Sequence, residues 1–475
     1  MDKRARLGYG LAFGVSAGAA AASMRGFTVD DALISVQYAR NISAGAGYRF
    51  DALGPSTDGV TPLPWPWVLA PFARADAWTV LVRAQWLGIV AWAFAAALLG
   101  VAVVRTTASW RVRVSALALL LACLPVAAHA ASGMETGLVI ALCTSSVALH
   151  DRGAASTSLA ALAAAFRPEL APWALAWCAG RALAAGESRR RIAVMSALAL
   201  SGAVAVASIR AYAFGHAYPL ALLAKPSDLE HGSVYALAGL VACAIPLAVL
   251  SPVALKNGPP MGHAIAVAFF VHVLTVAWVG GDWMPYARLF APVAPSLVLL
   301  YVMSSSESKP APLVARTALA LALGAYAWAL VAPKGMGVMR DRLRLIEDAR
   351  PVLASCDLVA AVDIGWVTAS GVRVMDLAGL TDPSIAVLGG GHTSKRVDPS
   401  MLLDRKVDCA AFYVDPGFSQ ASLVHPETIV YAHVVSSRLA QSEAFEAHFR
   451  PLVKLRLGDG DRGYVVFVRL PTTLE

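Results

Sequence analysis

The chain has 475 residues, 58% of them hydrophobic and only 15% charged, against roughly 25% charged in an average soluble protein. That composition excludes an ordinary soluble enzyme. The net charge of +8 does not argue for nucleic acid either, because the basic residues sit in short clusters between apolar runs, as the positive-inside rule expects of cytoplasmic loops.

The N-terminal stretch Met1 to Gly26 carries signal-like charges in Lys3, Arg4 and Arg6 but no clear cleavage site, and reads as a retained first membrane helix. A polar stretch, Thr28 to Trp65, follows directly and delivers two adjacent carboxylates, Asp30 and Asp31, to the membrane surface. Asp30 precedes a helix-compatible run, Ala32 to Ala44, which Gly45 and Gly47 are suited to stop in left-handed conformations. On a 3.6-residue helix Ser35, Tyr38 and Ile42 share the face of Asp31, whereas Arg40 points away. A turn-rich loop with Trp65 and Trp67 comes next, and indoles beside a polar boundary place it at a bilayer interface. Helix capping accounts for one aspartate of the pair; two in tandem leave room for catalysis or ligand binding.

Apolar runs long enough to cross, or nearly cross, a ~30 Å hydrocarbon core occur at roughly 7 to 24, 84 to 104, 114 to 131, 136 to 150, 192 to 209, 233 to 251, 263 to 279, 289 to 304 and 312 to 332. Thr157 to Leu183 is interrupted by Arg167-Pro168-Glu169, which allows one kinked element or two half-depth helices. Counting two gives about 11 spans. Basic residues at Lys3/Arg4/Arg6, Arg105/Arg111/Arg113, Arg152, Arg189 to Arg191, Lys256 and Lys309 then fall on one side, the cytoplasmic one. The Asp30-Asp31 loop, Ser132 to Thr136, Tyr212 to His231, Gly280 to Arg288 and everything after Pro333 fall on the other.

Beyond Pro333 long runs give way to alternation. Leu358 to Val362, Val372 to Leu377, Ala410 to Val414, Ile429 to Val435 and Tyr464 to Leu470 read as strands; Met339 to Leu353, Pro399 to Asp404 and Gln441 to Phe449 read as helices. The expected organisation is a membrane domain, 1–332, followed by a small extracytoplasmic α/β domain, 333–475. Gly389 to Gly391 is a poor match for a phosphate-binding fingerprint. Four of six cysteines (Cys123, Cys143, Cys178, Cys243) lie in apolar runs; Cys356 and Cys409 lie in the polar C-terminal region, where an oxidising compartment would allow them to pair. No spacing suggests a metal site, and His129, His263 and His272 read as core residues.

Four outer segments combine charge with aromatics or proline. Asp282 and Arg288 flank a turn and are either functional or a structural ion pair. Arg210 to Lys225 offers Lys225 to a phosphate or to lipid headgroups. Arg167 and Glu169 either act or neutralise one another, and Glu135 sits at a helix start, where it would cap.

Taken together, Asp30-Asp31-Ala32, Arg40-Asn41 with Gly45 and Gly47, Ser132 to Thr136, Arg167-Pro168-Glu169, Phe214-Gly215 to Lys225, Gly280-Gly281-Asp282 with Arg288 and Pro292, and Asp376 to Pro383 resemble, in order and spacing, the polyprenyl-phosphate-dependent glycosyltransferases of the GT-C superfamily. Within that superfamily the pattern is similar to the actinobacterial terminal arabinofuranosyltransferases and related bacterial proteins. Asp58-Gly59-Val60-Thr61 departs from the usual Glu-containing turn, Leu220 follows Pro219 where a small polar residue is common, and the C-terminal region is short.

The resemblance implies a mainly α, polytopic GT-C fold in the plasma (inner) membrane, with a cytoplasmic N-terminus and an extracytoplasmic C-terminal domain. It implies inverting transfer of a sugar, arabinofuranose being the one suggested, from a polyprenyl-phosphate donor to a cell-envelope glycan or glycolipid. Asp31 or Asp30 would be the base, the other holding the acceptor or a divalent cation such as Mg. Lys225, Arg288, Arg210 and Arg167 would meet the donor phosphate, and Tyr38, Arg40, Glu135 and Asp282 would contact substrate. Two neighbouring carboxylates should raise one pKa. A transporter of lipid-linked glycan or lipid is the alternative, and a non-catalytic assembly subunit a third.

Overall fold

Long apolar runs with internal proline and glycine yield helices of very unequal length. The computed structural model describes residues 3–225, 227–250, 256, 258–305, 310–414, 429–459 and 462–471; Lys309 and Ser251, the end of one expected span, lie outside them. The protein is mainly helical with one five-stranded sheet. Among the described residues four helices are long and apolar enough to cross a membrane: Ala77–Thr106, Arg189–Phe214, Pro260–Trp278 and Pro310–Leu353. The helices Trp110–Ala122 and Leu124–Ala130, bent by 59° to one another where Pro125 lacks an N–H to continue the ladder, are together long and apolar enough to make a fifth if they form one span.

About 11 spans were expected, and the other runs form shorter helices. The run at 289–304 is helical only over Ser296–Ser304, and that at 233–251 divides into Leu229–Ala242 and Ile245–Val249, with Pro246 at the second start. Thr157 to Leu183 takes the two-helix form, Gly153–Phe166 and Ala171–Ala184, separated by a short turn at Pro168–Leu170. Only 11% of the most apolar window of Arg189–Phe214 is buried, so that helix presents hydrocarbon outward, as a lipid-facing span does.

Contacts divide the chain into two units that do not follow the sequence order: one is Met1–Thr28, Val82–Ile209 and Ser227–Met336, the other Val29–Leu81, Arg210–Pro226 and Gly337–Glu475. In the first, helix Lys3–Ser23 packs through Gly10, Gly14 and Gly18, spaced by four. A Cβ on Gly14 would lie 2.8 Å from the Ala93 carbonyl oxygen and 3.0 Å from the Ala97 Cβ, an approach of backbones that small residues permit.

The second unit joins the first polar stretch and the Arg210–Pro226 loop to the C-terminal region. Its sheet runs β2 (Arg373–Asp376), β1 (Leu358–Ala361), β3 (Cys409–Val414), β5 (Gly463–Arg469), β4 (Phe449–Arg456). β1 is parallel to β2 and β3; β5 is antiparallel to β3 and β4. A disulfide joins Cys356 to Cys409. Four of the five expected strands are present. Ile429 to Val435 is not a strand: it contributes one bridge, Val414 to Tyr431, and then enters helix Val434–Ala440. The edge position goes to β4, which the sequence disguises: Pro451 lacks a ladder donor, a bulge falls between Pro451 and Val453, and Arg450, Lys454 and Arg456 break the apolar alternation.

Candidate functional site

Asp30 and Asp31 open helix Asp30–Ser43 in the second unit, and their surroundings differ. Val29 is the N-cap and makes no side-chain bond, so neither aspartate caps its own helix in the usual way. The Asp30 carboxylate instead accepts the N–H of Gly365 at 2.7 Å and of Trp366 at 3.0 Å, and Nη1 of Arg342 at 3.1 Å. It thereby caps helix Ile364–Ala369, whose own N-cap, Asp363, makes no capping bond and accepts the Tyr464 hydroxyl at 2.7 Å. A Cβ on Gly365 would run into the Asp30 carbonyl and carboxylate, so glycine is what allows the approach. Burial is the main reason that Asp30 is raised to about 6; the Arg342 charge opposes it, and Asp363 and Asp31 add to it. The like-charge effect is therefore present but secondary to desolvation.

Asp31 is half-buried, and its carboxylate has no hydrogen bond or ion pair among the described residues. It is the free acid of the pair.

Lys225 ends the short helix Leu220–Ala224, which packs on helix Pro383–Ala386. Hydrogen bonds tie this loop to the first polar stretch. The Leu220 N–H donates to the Asp58 carbonyl at 3.3 Å, and Arg210 Nε donates to Asp58 Oδ2 at 2.6 Å. Arg210 also bonds the Val60 and Thr61 carbonyls. Arg210 and Asp58 are both almost fully buried, which commits this guanidinium to structure. Burial raises the Asp58 carboxyl above its usual range, and Arg210 opposes the rise. Lys225 is half-buried and its ammonium has no partner among the described residues.

The charges of Lys225 and Asp31 both act on His392, on the loop following Pro383–Ala386. Burial first, and the Lys225 ammonium second, lower its imidazole to about 4; Asp31 and Asp363 oppose this and His433 adds to it. His392 is thus neutral at neutral pH, able to donate at one nitrogen and accept at the other. The sequence signal for it was the Gly389 to Gly391 loop immediately before, weighed only as a phosphate fingerprint. Arg342, Asp363 and Tyr464 carried no local signal.

Tyr38 is fully buried, its hydroxyl bonded to Thr57 Oγ1 at 2.8 Å and accepting the Gly59 N–H at 3.0 Å. It shapes the loop that holds Asp58. Arg40, on the side of its helix away from Asp31, donates from Nε to the Ala75 carbonyl at 3.1 Å and from Nη1 to Gln37 Oε1 at 3.3 Å.

The remaining candidates belong to the first unit. Arg167 lies between Glu135 (2.8 Å) and Glu169 (2.6 Å), all three strongly buried. Glu135 occupies the N-cap of Thr136–Ala148 without a capping bond, so its partner is Arg167 and not the helix end. Arg288 pairs with Asp282 at 2.6 Å across the turn and approaches Met134 Sδ at 3.6 Å. The structural alternatives weighed for Arg167/Glu169 and for Asp282/Arg288 are the contacts present.

Among the described residues no group of three or more His, Cys, Asp or Glu side chains is placed to hold a metal ion. The Asp30 oxygens are occupied by Arg342 and two backbone N–H groups, which leaves Asp31 alone of the pair to face a cation. Compared with protein-family models and with curated proteins, the chain matches none.

Proposed function

We propose that the chain is a membrane glycosyltransferase of GT-C type, moving a sugar from a polyprenyl-phosphate donor to a hydroxyl of a cell-envelope glycan or glycolipid with inversion. The observation that carries this reading is that, among the described residues, neither the Asp31 carboxylate nor the Lys225 ammonium has a hydrogen-bond or ion-pair partner, while the charges of both act on neutral His392.

Inverting transfer needs a base on the acceptor side and positive charge on the leaving-group side. Asp31 takes the proton of the acceptor hydroxyl as its oxygen forms the new bond to the anomeric carbon. The bond from that carbon to the donor phosphate oxygen breaks, and the electron pair leaves with the polyprenyl phosphate, whose charge Lys225 meets. Asp30, held by Arg342 and the helix end, positions Asp31. The polyprenyl tail lies against apolar helices, about 11 spans in the full reading, and arabinofuranose is the sugar that the motif pattern favours. A disulfide in the second unit supports an oxidising, extracytoplasmic location for it, with the N-terminus cytoplasmic.

The second reading is transport of lipid-linked glycan or lipid. It is favoured by the half-length helices Gly153–Phe166 and Ala171–Ala184 with Arg167 and Glu169 at their break, since interrupted helices with buried charge are a transporter device. Purified protein in nanodiscs, incubated with a panel of polyprenyl-phosphate sugars and acceptor glycans, separates the two. Consumption of one donor, lost in Asp31→Asn while donor binding persists, supports the enzyme. Unchanged turnover in Asp31→Asn refutes the assignment of the base.

A further inference from the structure

The last turns of helix Asp30–Ser43 lie beside the chain that leads into the long span Ala77–Thr106. Gln37, Arg40, Asn41, Ser43 and Ala44 on one side and Ala73 to Ala75 on the other border a cavity of about 260 Å³, all within the second unit. No Asp or Glu lines it. We propose that this cavity holds the phosphate headgroup of an anionic membrane phospholipid, a lipid that is neither donor nor acceptor in the transfer reaction.

Two guanidinium groups in the lining meet no opposite charge. Arg40 donates from Nε to the Ala75 carbonyl and from Nη1 to Gln37 Oε1, both neutral; its Nη2 has no partner among the described residues and is not sealed in the interior. Arg74 is exposed and forms no hydrogen bond or ion pair among the described residues. Its neighbour Asp76 is engaged elsewhere, Oδ1 accepting the N–H groups of Trp78 and Thr79, each at 3.0 Å, and Oδ2 the Thr79 hydroxyl at 2.6 Å. The Ser43 hydroxyl is a further donor without a partner among the described residues. The two amides are already committed, Gln37 Nε2 and Asn41 Nδ2 both donating to the Phe50 carbonyl, at 3.3 and 2.9 Å. What remains is uncompensated positive charge on planar donor forks, which match phosphate oxygens. Carbonyls at a helix end oppose an anion, but here those of Arg40, Asn41 and Ile42 already accept the N–H groups of Ala44, Ala46 and Gly45.

The preceding residues point to a lipid as the source of the phosphate. In helix Pro64–Leu69 and the turn Ala70–Phe72, Trp65, Pro66 and Leu69 are buried, whereas Trp67, Val68 and Phe72 are 55%, 36% and 44% exposed. An apolar face on successive turns therefore looks outward, and the next residue but one is Arg74. Hydrocarbon covers such a face, and indoles favour the headgroup level. Arg74 also stands just ahead of the span Ala77–Thr106, at the boundary where headgroups lie. A free anion would satisfy the guanidinium groups and leave the apolar face in water.

Full-length protein in detergent is titrated with phosphatidylglycerol, phosphatidylcholine and inorganic phosphate, bound species being counted by native mass spectrometry. Expected is binding of phosphatidylglycerol in preference to phosphatidylcholine. It should weaken roughly fivefold in Arg74→Gln and in Arg40→Gln, the loss of one basic residue near anionic lipid in each, and persist in Lys225→Met. Phosphatidylglycerol binding indifferent to both arginine variants, equal binding of phosphatidylcholine, or inorganic phosphate bound as tightly as the lipid would overturn the site. Loss of binding in Lys225→Met would move the headgroup to the proposed donor position and overturn it as well. Arg74→Gln breaks no hydrogen bond or ion pair among the described residues, so it keeps the test valid should Arg40→Gln fail to fold. The readout contains no sugar transfer, so failure of the transfer reading leaves it unchanged.

Discussion

The Asp30 carboxylate caps a helix that lies 335 positions further along the chain, accepting the Gly365 N–H at 2.7 Å. One acid of the adjacent pair is thereby consumed in holding the C-terminal region to the first polar stretch, and the other has no hydrogen-bond or ion-pair partner among the described residues. The distinction makes the two aspartates separable by experiment.

Asp30→Ala removes the carboxylate from buried Arg342 and from two backbone donors. Stranding one member of a buried pair costs about 3–5 kcal/mol, so the thermal unfolding midpoint in detergent should fall sharply. Gly365→Ala should reproduce the loss by displacing Asp30. A Gly365→Ala chain as stable as the parent would show that the cap does not hold the unit together.

Asp31→Asn should leave the unfolding midpoint nearly unchanged, because among the described residues the side chain has no hydrogen-bond or ion-pair partner to lose. Sugar transfer should fall by roughly 10²–10⁴-fold, the usual contribution of a general base. Destabilisation without a specific loss of turnover would place Asp31 among the structural acids.

Lys225→Met should weaken donor use and slow turnover by roughly 10²–10³, the range for losing one group that meets developing charge. The same change should let His392 titrate at higher pH, because the Lys225 ammonium is one cause of its depression. NMR titration of the imidazole reads this independently of activity.

Arg210→Ala and Asp58→Ala should each destabilise by about 3–5 kcal/mol, and the double variant by less than their sum, since the second change removes a charge already stranded. Additive losses would mean that the 2.6 Å pair is not energetically coupled.

The pH dependence of stability should contain two opposed parts. His392, ordinarily near 6.5, is held at about 4 in the folded chain, so its contribution is present above 6.5 and is lost as pH falls toward 4. Asp376 is raised from 3.8 to about 6, chiefly by burial, so its contribution is present below 3.8 and is lost as pH rises through 6. His392→Gln should therefore make the protein relatively more stable at pH 5 than at pH 7, and Asp376→Asn relatively less. Unfolding midpoints at the two pH values check both signs.

Much of this is legible in the sequence. The alternation of Leu358 to Val362 and Tyr464 to Leu470 gave strands within a residue or so of those found, and Gly45 and Gly47, both at φ +83°, end helix Asp30–Ser43 as their position suggests. Strand β4 escaped because an edge strand tolerates the proline and the charges that make Phe449 to Arg456 look irregular. Fewer of the described helices are long enough to cross a membrane than the apolar runs suggest, because apolar length counts residues, whereas Pro125 and Pro246 sit where apolar runs divide into shorter helices.

Among the candidate residues, the sequence by itself determined which side chains could ionise and which helical face each occupies. It could separate Arg40 from Asp31 by angle alone. Only the tertiary structure decided which charges are already answered: Asp30 by Arg342 and Gly365, Arg210 by Asp58, Arg167 by Glu135, and Asp31 and Lys225 by none of the described residues. The reason is physical. Charge and periodicity are local properties of the chain, whereas satisfaction of a buried polar group depends on partners brought from anywhere along it.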